Sequence, residues 1–368
     1  MYKIKAEDKK TNARAGEFIT SHGKIQTPFF MPVATKGTVK WINFEQLESI
    51  GFECFISNSF ILSRRPGLDV IKKAKGYHEF INWKKGIFTD SGGFQLLNES
   101  FLQKLTEKGV LLKDPFNGDK ILLTPQLSAE IQLKIGSDIA MVLDDVRHPH
   151  KEKKEHIEAV KNTLQWAKEF KEKHEKMKEN SINKNQLKFA IAQGGLNLDL
   201  RKKCSEELVK LNFDGYALGG LCIGESREEM IPIIKKSVEF LPKEKPRYLM
   251  GVGSPKDLLE AISYGIDCFD SCFPTKGARH GYIFNSSGNY QIEKRCYVAD
   301  FSPLDENCDC FVCRKHSRAY LRHLLKSKEE TVFSYFAYHN LFYVNSLIKE
   351  ARKRINEGEF HSFLKEFI

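Results

Sequence analysis

Three aspartates stand where apolar, strand-like runs of the sequence end: Asp90 in GIFTDSGGFQ, Asp144 in AMVLDDVRHPH and Asp270 in GIDCFDSCFPTKGARHG. A carboxylate in a buried segment is costly unless something pairs with it, so three at such positions favour a functional site. Asp270 is followed by Lys276 and Arg279. A carboxylate beside cations is typical of a site where a nucleophile meets a phosphate backbone.

A glycine-rich turn follows the first of these aspartates. In TDSGGFQ, Asp90 precedes Ser91, Gly92, Gly93 and Phe94. Glycines let the backbone approach a ligand closely and present N–H donors, and the aromatic ring offers a flat face on which a base can stack. The combination favours a ligand-binding turn over a purely structural one.

Three of the nine cysteines, Cys308, Cys310 and Cys313, lie together in CDCFVC. An odd number of cysteines argues against a disulfide framework, whereas the spacing C-x-C-x2-C brings thiolates close enough to share one metal ion. We predict a structural zinc site that fastens the C-terminal segment, and such a site needs a fourth ligand. The candidates for that ligand are Cys296, His316, His323 and His339.

The elements that must position these side chains alternate along the chain. Strand-like runs, each followed by a helical pattern, occupy 28–34, 52–58, 86–90, 138–144, 188–193, 214–220, 247–252 and 265–270. The helical pattern after the second run covers residues 67–77. Alternation of this kind indicates a parallel sheet, and eight units favour a closed (β/α)8 barrel over an open doubly wound sheet. Barrel active sites lie at the carboxyl ends of the strands. The predicted ends carry Asn58, Asp90, Asp144, Gln193, Gly219, Gly220, Gly251 and Asp270.

Two segments interrupt this alternation. Residues 98–124, with KDPFNGDK between apolar flanks, predict a hairpin insertion. Residues 277–368 contain a second hairpin that turns at 285–288, then the cysteine cluster, then amphipathic helices. We therefore expect a catalytic barrel over residues 1–276 and a zinc-binding subdomain with C-terminal helices packed on the barrel over residues 277–368.

Composition sets broad limits on partners and location. Lys and Arg number 58 against 48 Asp and Glu, a net charge of +10, which is compatible with a polyanionic partner such as nucleic acid. A lysine-rich solvated surface would give the same excess. No apolar run approaches the roughly 20 residues that span a bilayer, and MYKIKAEDKK lacks the apolar core of a signal peptide. We expect a cytoplasmic protein without membrane partners.

Five segments together resemble a known family: TDSGGFQ, ALGGLCIGE, MGVG, FDSCFPTKGARHG and the cysteine cluster. The chain is similar to queuine-type tRNA-guanine transglycosylases from residues 22–40 through 339–360, in the same order. The resemblance implies a (β/α)8 barrel with a zinc subdomain. It also implies exchange of guanine at the wobble position of tRNAs with GUN anticodons (Asp, Asn, His and Tyr) for a 7-deazaguanine, usually preQ1 in bacteria, in queuosine biosynthesis.

The resemblance implies roles for individual residues. Asp270 matches the nucleophile that attacks C1′ and expels guanine to leave a covalent ribosyl-enzyme, and Asp90 matches the general acid/base that deprotonates the incoming base. Two displacements give retention at C1′. Asp144 and Gln193 match groups that bond the purine edge. A carboxylate suits this role because it accepts hydrogen bonds from two adjacent N–H donors well. The implied base-pocket residues are Ser91, Gly92, Gly93, Phe94, Asp144, Val146, Gln193, Gly219, Gly220, Leu221 and Met250.

RNA contacts, the metal site and assembly are also implied. His339 matches the fourth ligand of one structural Zn²⁺ per subunit, beside Cys308, Cys310 and Cys313. Family members typically bind one tRNA per homodimer, so we expect a homodimer. The implied RNA-binding residues are Gly251, Val252, Gly253, Ser254, Pro255, Lys256, Asp257, Thr275, Lys276, Gly277, Ala278 and Arg279.

Departures from the family pattern affect substrate choice. Bacterial members usually have cysteine where this chain has Val146, and members that insert queuine have valine there. At a second position, queuine users have glycine where this chain has Ile223. A histidine expected in the family is Ile61 here, and an anticodon-reading arginine is Lys276, which lacks the bidentate fork. We favour preQ1 as the incoming base, with queuine as the alternative.

Two other classes of function remain open at this point. A non-catalytic tRNA-binding accessory subunit would not need both Asp90 and Asp270. A barrel glycosidase acting on carbohydrate would not explain the TKGAR segment, or Phe94 and Met250, which match the family's pair of side chains that sandwich the base.

Overall fold

Eight parallel strands form a closed barrel in the computed structural model, which describes residues 2–92 and 102–368. The strands neighbour one another in the order β4-β14-β13-β12-β11-β10-β6-β5, and a bridge between Val33 and Ile56 joins the first to the last. The closed barrel predicted from the alternation is therefore confirmed. Its strands are β4 (Phe29–Pro32), β5 (Cys54–Asn58), β6 (Gly86–Asp90), β10 (Ile139–Met141), β11 (Leu187–Ala192), β12 (Gly215–Leu218), β13 (Arg247–Leu249) and β14 (Cys268–Ser271).

Both faces of this sheet are buried, as expected for parallel strands covered by helices. Residues such as Met31, Phe88 and Phe189 fill the barrel interior, while alternate residues such as Phe55 and Ile87 pack outward against the helices. The helices of this layer are α1 (Phe44–Ile50), α2 (Ser59–Leu62), α3 (Leu68–Lys73), α4 (Tyr77–Ile81), α5 (Pro125–Ile135), α6 (Lys153–Met177), α7 (Leu198–Lys210), α8 (Arg227–Ser237) and α9 (Pro255–Ser263).

One predicted helix is divided in the structure. The pattern over residues 67–77 predicted a single helix, but α3 ends at Lys73 and α4 begins at Tyr77. Lys75 (φ 66°) and Gly76 (φ 119°) between them adopt positive φ values, which a right-handed helix cannot contain.

A three-stranded antiparallel sheet covers the amino-terminal end of the barrel, and the sequence patterns did not indicate it. It consists of β1 (Tyr2–Glu7), β2 (Arg14–Thr20) and β3 (Gly23–Thr27). Arg14 on β2 forms a buried ion pair with Asp267, next to the start of β14. This pairing fixes the sheet against the end of the barrel opposite the predicted site.

The predicted insertion is an antiparallel meander. Its strands are β7 (Leu102–Thr106), β8 (Gly109–Lys113) and β9 (Lys120–Leu123). The segment KDPFNGDK connects β8 to β9, and β7 pairs with β8 as a further strand. Residues 98–101 of the predicted range lie outside the described residues.

The C-terminal region continues from the last barrel strand. The predicted hairpin is present, with Gly288 N–H donating to the Asn285 carbonyl at 3.0 Å, and the predicted helices follow it. None of the helices within the described ranges is both long and apolar enough to cross a bilayer. The elements are α10 (Phe273–Arg279), β15 (Tyr282–Ile283), β16 (Tyr290–Gln291), α11 (Phe311–Lys315), α12 (Arg318–Lys326), α13 (Thr331–Glu357) and α14 (Phe360–Phe367).

Candidate active site

The three aspartates singled out in the sequence line one cavity at the carboxyl ends of the barrel strands. Its volume is about 480 Å³, within the usual range of small-molecule sites. Asp90 ends β6, Asp144 follows β10 and Asp270 lies in β14. The sequence-predicted residues that line the cavity are Asp90, Ser91, Asp144, Val146, Gly219, Gly220, Leu221, Met250, Gly251, Asp270 and Lys276.

Asp270 is held by two donors from β13 and the residues just after it. The Tyr248 hydroxyl donates to Asp270 Oδ1 at 2.6 Å, and the Gly251 N–H donates to the same oxygen at 3.1 Å. Burial raises the pKa of Asp270, and these two hydrogen bonds act in the opposite direction by stabilising the carboxylate. The side chain is thereby fixed with an oxygen available at the cavity.

Asp90 has a pKa close to neutrality. Its Oδ1 accepts a hydrogen bond from Gly92 N–H at 2.8 Å, in a turn where Gly92 adopts a φ of 90°. Burial, together with the charges of Asp270 and Asp144, raises the pKa of Asp90 to about 7. A group with this pKa can both accept and release a proton near pH 7.

Asp144 and Gln193 meet across the ends of β10 and β11. Gln193 Nε2 donates to Asp144 Oδ2 at 2.6 Å, and both side chains are buried. Burial is the main cause that raises the pKa of Asp144 to about 7. The pair presents a carboxylate and an amide side by side, which suits a ligand edge with adjacent donors and an acceptor.

The turn after β12 is shaped by two glycines. Gly219 and Gly220 both lie against Gln193: a Cβ at Gly220 would be 2.3 Å from Gln193 Oε1, and one at Gly219 would be 2.7 Å from Gln193 Nε2. Gly220 also adopts a φ of 66°. Glycine is therefore required here for the backbone to approach the polar side of the cavity.

Val146 and Ile223 line the same cavity. Val146 is buried, directly after the two aspartates of the β10–α6 connection, and Ile223 is half-buried in the connection after β12. The residue type at Val146 pointed to queuine and that at Ile223 to preQ1. Both side chains therefore limit the space in one cavity.

The segments that the resemblance implies in RNA contact contain both exposed and buried residues. Lys256, Lys276 and Arg279 are exposed, and only Lys276 among them lines the cavity. Asp257 lies in the first turn of α9, whose N-cap is Ser254, and forms an ion pair with Arg227 at 2.8 Å, which gives it a structural role. The buried members of these segments are Val252, Gly253, Pro255, Thr275 and Ala278.

Some predicted residues are not brought to this cavity. Asn58, at the end of β5, caps α2 by accepting from Ile61 N–H at 2.8 Å. Gly93 and Phe94 lie outside the described residues, so the ring expected opposite Met250 cannot be placed.

Comparison with known proteins agrees with this geometry. The family model for queuine tRNA-ribosyltransferase matches residues 8–368. The chain belongs to this family. Curated queuine tRNA-ribosyltransferases similar to it include one from Thermoanaerobacter sp. (strain X514), 42% identical over 367 residues, 100% of this chain and 96% of the relative. Another from Fusobacterium nucleatum is 44% identical over 366 residues, 99% and 96% of the two chains.

A third relative in the queuine tRNA-ribosyltransferase family, from Francisella tularensis subsp. novicida, is 43% identical over 360 residues, 98% of this chain and 96% of the relative. These matches span the barrel and the C-terminal region alike. The resemblance recognised from five short motifs therefore extends along nearly the whole chain.

The cysteine cluster of this family member forms a group able to hold a metal ion. His339 Nδ1 lies 3.7 Å from Cys308 Sγ, 3.5 Å from Cys310 Sγ and 3.3 Å from Cys313 Sγ. On its other side, His339 Nε2 is 2.8 Å from the Phe284 carbonyl, which can only accept, so Nε2 carries the proton and Nδ1 is free to bind a metal. Of the four candidate ligands, the structure brings His339 to the three cysteines.

Some residues of the site were not found by sequence reasoning. Tyr248 bonds Asp270 from inside a strand pattern that indicated only a core position. Phe273, 37% exposed, lines the cavity three residues after Asp270. Cys222 and Thr35 also line it. The position of Phe273 beside Lys276 in SCFPTKGAR was the available signal, because aromatic and basic residues together are typical of nucleic-acid contacts.

Proposed function

We propose that this protein exchanges guanine at the wobble position of GUN-anticodon tRNAs for preQ1, through a covalent ribosyl-aspartyl intermediate. The observation that carries the proposal is the convergence of Asp90, Asp144 and Asp270 on one cavity of about 480 Å³, in a chain of the queuine tRNA-ribosyltransferase family. Carboxylates with separate environments can serve separate roles.

In the proposed reaction Asp270 is the nucleophile. Its carboxylate attacks C1′ of the wobble nucleotide, the C1′–N9 bond breaks, and guanine leaves with the electron pair of that bond and takes up the proton held by Asp90. The hydrogen bonds from Tyr248 and Gly251 support this role, because they orient Asp270 and stabilise its ionised form.

Asp90 is the proposed proton acceptor of the second displacement. It takes the N9 proton of the incoming base, whose nitrogen then attacks C1′ and releases Asp270. A pKa of about 7 supports the assignment, since proton transfer is most effective when the pKa lies near the working pH. Two displacements leave the configuration at C1′ unchanged.

Asp144, Gln193 and the backbone of Gly220 and Leu221 are the proposed contacts of the base. The N1–H and N2–H2 edge of guanine or preQ1 offers two donors to Asp144, which would then be matched by a ligand instead of a cation. This explains why a buried acid with no ion-pair partner among the described residues is placed at the mouth of the barrel.

The choice of preQ1 over queuine rests on Ile223. Queuine carries a larger substituent than preQ1, and the Ile223 side chain occupies part of the cavity wall. Val146, which also lines the cavity, favours the queuine alternative, because family members that insert queuine have valine at this position.

Competition kinetics test this choice. We expect wild-type protein to incorporate preQ1 with the higher kcat/KM, and Ile223→Gly to raise kcat/KM for queuine at least tenfold with little change for preQ1. Efficient queuine exchange by the wild type, with poor preQ1 exchange, would overturn the preference.

Zinc is the proposed metal of the Cys308, Cys310, Cys313 and His339 cluster. For tetrahedral zinc with Zn–S of about 2.3 Å and Zn–N of 2.0–2.1 Å, sulfur and nitrogen lie about 3.6 Å apart. The separations from His339 Nδ1 to the three sulfurs, 3.3 to 3.7 Å, fit this value. The ion would be structural, with all four positions filled by protein.

The decisive experiment is exchange of labelled guanine into a tRNA with a GUN anticodon. We expect Asp270→Asn to abolish both exchange and the covalent tRNA adduct seen on a denaturing gel, because an amide cannot act as the nucleophile. Asp214→Asn, at the opposite end of the barrel where Asp214 bonds Lys188 N–H, is the matched control and should keep activity. Full exchange by Asp270→Asn would overturn the assignment.

Two further parts of the proposal concern organisation. We divide the chain into a barrel over 1–276 and a zinc subdomain with helices over 277–368, and we propose a homodimer as the tRNA-binding form. Sedimentation showing only monomer at micromolar concentration would exclude the dimer.

A further inference from the structure

We infer that Arg201 is a positioning residue of the base pocket: its guanidinium clamps the two backbone turns that form the pocket and orients the Gly220 N–H toward the incoming base. The inference rests on the proposed function, because it assigns a role in binding the base that is exchanged.

The contacts of Arg201 join two neighbouring turns. Arg201 lies in the first turn of α7 and is 0% exposed. Its Nε donates to the Gly195 carbonyl at 2.6 Å, in the turn that follows β11 and Gln193. One terminal nitrogen donates to the Gly219 carbonyl at 3.0 Å, in the turn that follows β12. One planar cation therefore spans both turns.

Burying the charged Arg201 guanidinium is energetically unfavourable by itself. Within residues 2–92 and 102–368, no carboxylate forms an ion pair with Arg201, and its other terminal nitrogen has no hydrogen-bond acceptor. Burial lowers the pKa of Arg201 to about 10, so the side chain remains charged at neutral pH. A buried charge held only by carbonyl groups is a cost to stability, which indicates a use beyond packing.

The geometry of the peptide group between Gly219 and Gly220 shows what the Arg201 contact can do. In a planar trans peptide the C=O and the following N–H point to opposite sides. Because Arg201 binds the Gly219 carbonyl, the Gly220 N–H of the same peptide points away from Arg201. Gly219 and Gly220 line the cavity and Arg201 does not, so the side opposite Arg201 is the cavity side. The Gly219 N–H is fixed as well, by the Ala192 carbonyl at 3.1 Å.

The second contact relates this donor to the rest of the pocket. The Gly195 carbonyl belongs to the turn Gln193–Gly195, and Gln193 in turn bonds Asp144. A Cβ at Gly194 would lie 2.7 Å from Arg201 N, so the turn is packed directly on α7. Arg201 therefore sets the distance between the Asp144–Gln193 pair and the Gly220 N–H, which must bind the same small ring.

Arg201→Lys tests the inference, because lysine keeps the charge but lacks the planar fork that reaches two carbonyls. We expect KM for preQ1 and for guanine to rise at least tenfold, with KM for tRNA within twofold of wild type and kcat reduced less than the base kcat/KM. Loss of a contact present in both ground and transition states raises KM in this way.

Arg247→Lys is the matched control. Arg247 is also buried and also donates to two carbonyls, of Leu241 and Pro242, but at the amino-terminal end of β13, away from the cavity. We expect it to lower Tm without changing KM for the base. A base KM within twofold of wild type in folded Arg201→Lys, or equal KM increases in both variants, would overturn the inference.

A measurement on the unmodified protein covers the case in which Arg201→Lys does not fold. Hydrogen exchange at the Gly219 N–H should be slow in the wild type before any base is added, because this N–H bonds the Ala192 carbonyl in a turn that Arg201 already holds. Fast exchange there, with protection appearing only on adding preQ1, would contradict the inference. Absence of guanine exchange by the wild type would instead refute the proposed function, so the two failures are distinguishable.

Discussion

Asp144 and Asp145 are adjacent in the chain and have opposite electrostatic environments. Asp145 accepts two hydrogen bonds from the Arg147 guanidinium, at 2.6 and 2.9 Å, and a third from Asn162. Asp144 has the Gln193 amide as its partner, and its pKa is raised to about 7. Asp145 fixes the connection between β10 and α6, which leaves Asp144 free to bind a ligand.

A substitution at Asp90 tests the cost of its burial. The folded pKa of about 7 lies above the ordinary value of 3.8, so the folded state binds more protons between these values and stability falls as pH rises through that window. We expect Asp90→Asn to be more stable than wild type at pH 8, by up to roughly 4 kcal/mol, since the pKa rises from 3.8 to about 7 and each pKa unit corresponds to about 1.4 kcal/mol.

The comparison requires urea unfolding at two pH values. The advantage of Asp90→Asn should disappear at pH 4, where the wild-type carboxyl is protonated in the folded state. Exchange activity should be lost at both values, because the amide cannot accept the proton. An equal advantage at pH 4 and pH 8 would show that ionisation of Asp90 is not the cause.

Individual site residues could be predicted where they interrupt a pattern. Asp90, Asp144 and Asp270 were found because an acid at the end of an apolar run is unfavourable without a function. Tyr248 and Arg201 could not be found this way. A tyrosine in a strand and an arginine in the first turn of a helix are ordinary in sequence, and only their contacts distinguish them.

The element that ties the C-terminal region to the barrel is α13. Asn340 is buried on it, accepts from Phe284 N–H and donates to the carbonyls of Pro274 and Tyr282. His339, the preceding residue, faces the cysteine cluster. The same turn of α13 therefore contacts the metal-binding group, the hairpin β15–β16 and the helix α10 that carries Lys276.

Loss of the metal should weaken this connection. We expect Cys310→Ser to lose bound zinc, measured by elemental analysis, and to lower Tm by at least about 5 °C, because structural zinc contributes directly to folding. Cys296→Ser is the control, since Cys296 is exposed and outside the cluster. Full zinc content in Cys310→Ser, or equal losses in both variants, would contradict the ligand assignment.

Strands could be predicted from the sequence where both faces of their sheet are buried. The eight barrel strands read as apolar runs because the barrel interior and the helix layer cover them. The N-terminal sheet was not indicated because β1 alternates between half-buried and exposed residues and its register with β2 contains an irregularity at Ile4–Ala6. The short helix α10 has a glycine and a proline within seven residues, which gives no helical pattern.

At the scale of the whole molecule, the acids compared at the two ends of the barrel differ in their partners and in the direction of their pKa shifts. At the amino-terminal end, Asp267 pairs with Arg14, and His22 and His78 bond Asp138; although burial opposes it, these bonds lower the pKa of Asp138 to about 2. At the carboxyl end, the acids Asp90 and Asp144 have raised pKa values. The paired acids Asp267 and Asp138 are thus separated from Asp90 and Asp144 by the length of the strands.

The excess positive charge of the molecule should act on tRNA and not on the base. Lys256, Lys276 and Arg279 are exposed, and Lys276 lines the cavity, so binding of tRNA should weaken with salt as counterions are released. We expect alanine at Lys276 or Arg279 to reduce the slope of log K against log salt by about one unit, while KM for preQ1 stays independent of salt. Lys168→Ala, exposed on α6, should leave the slope unchanged. Equal slopes for all these variants would place the tRNA contact elsewhere on the surface.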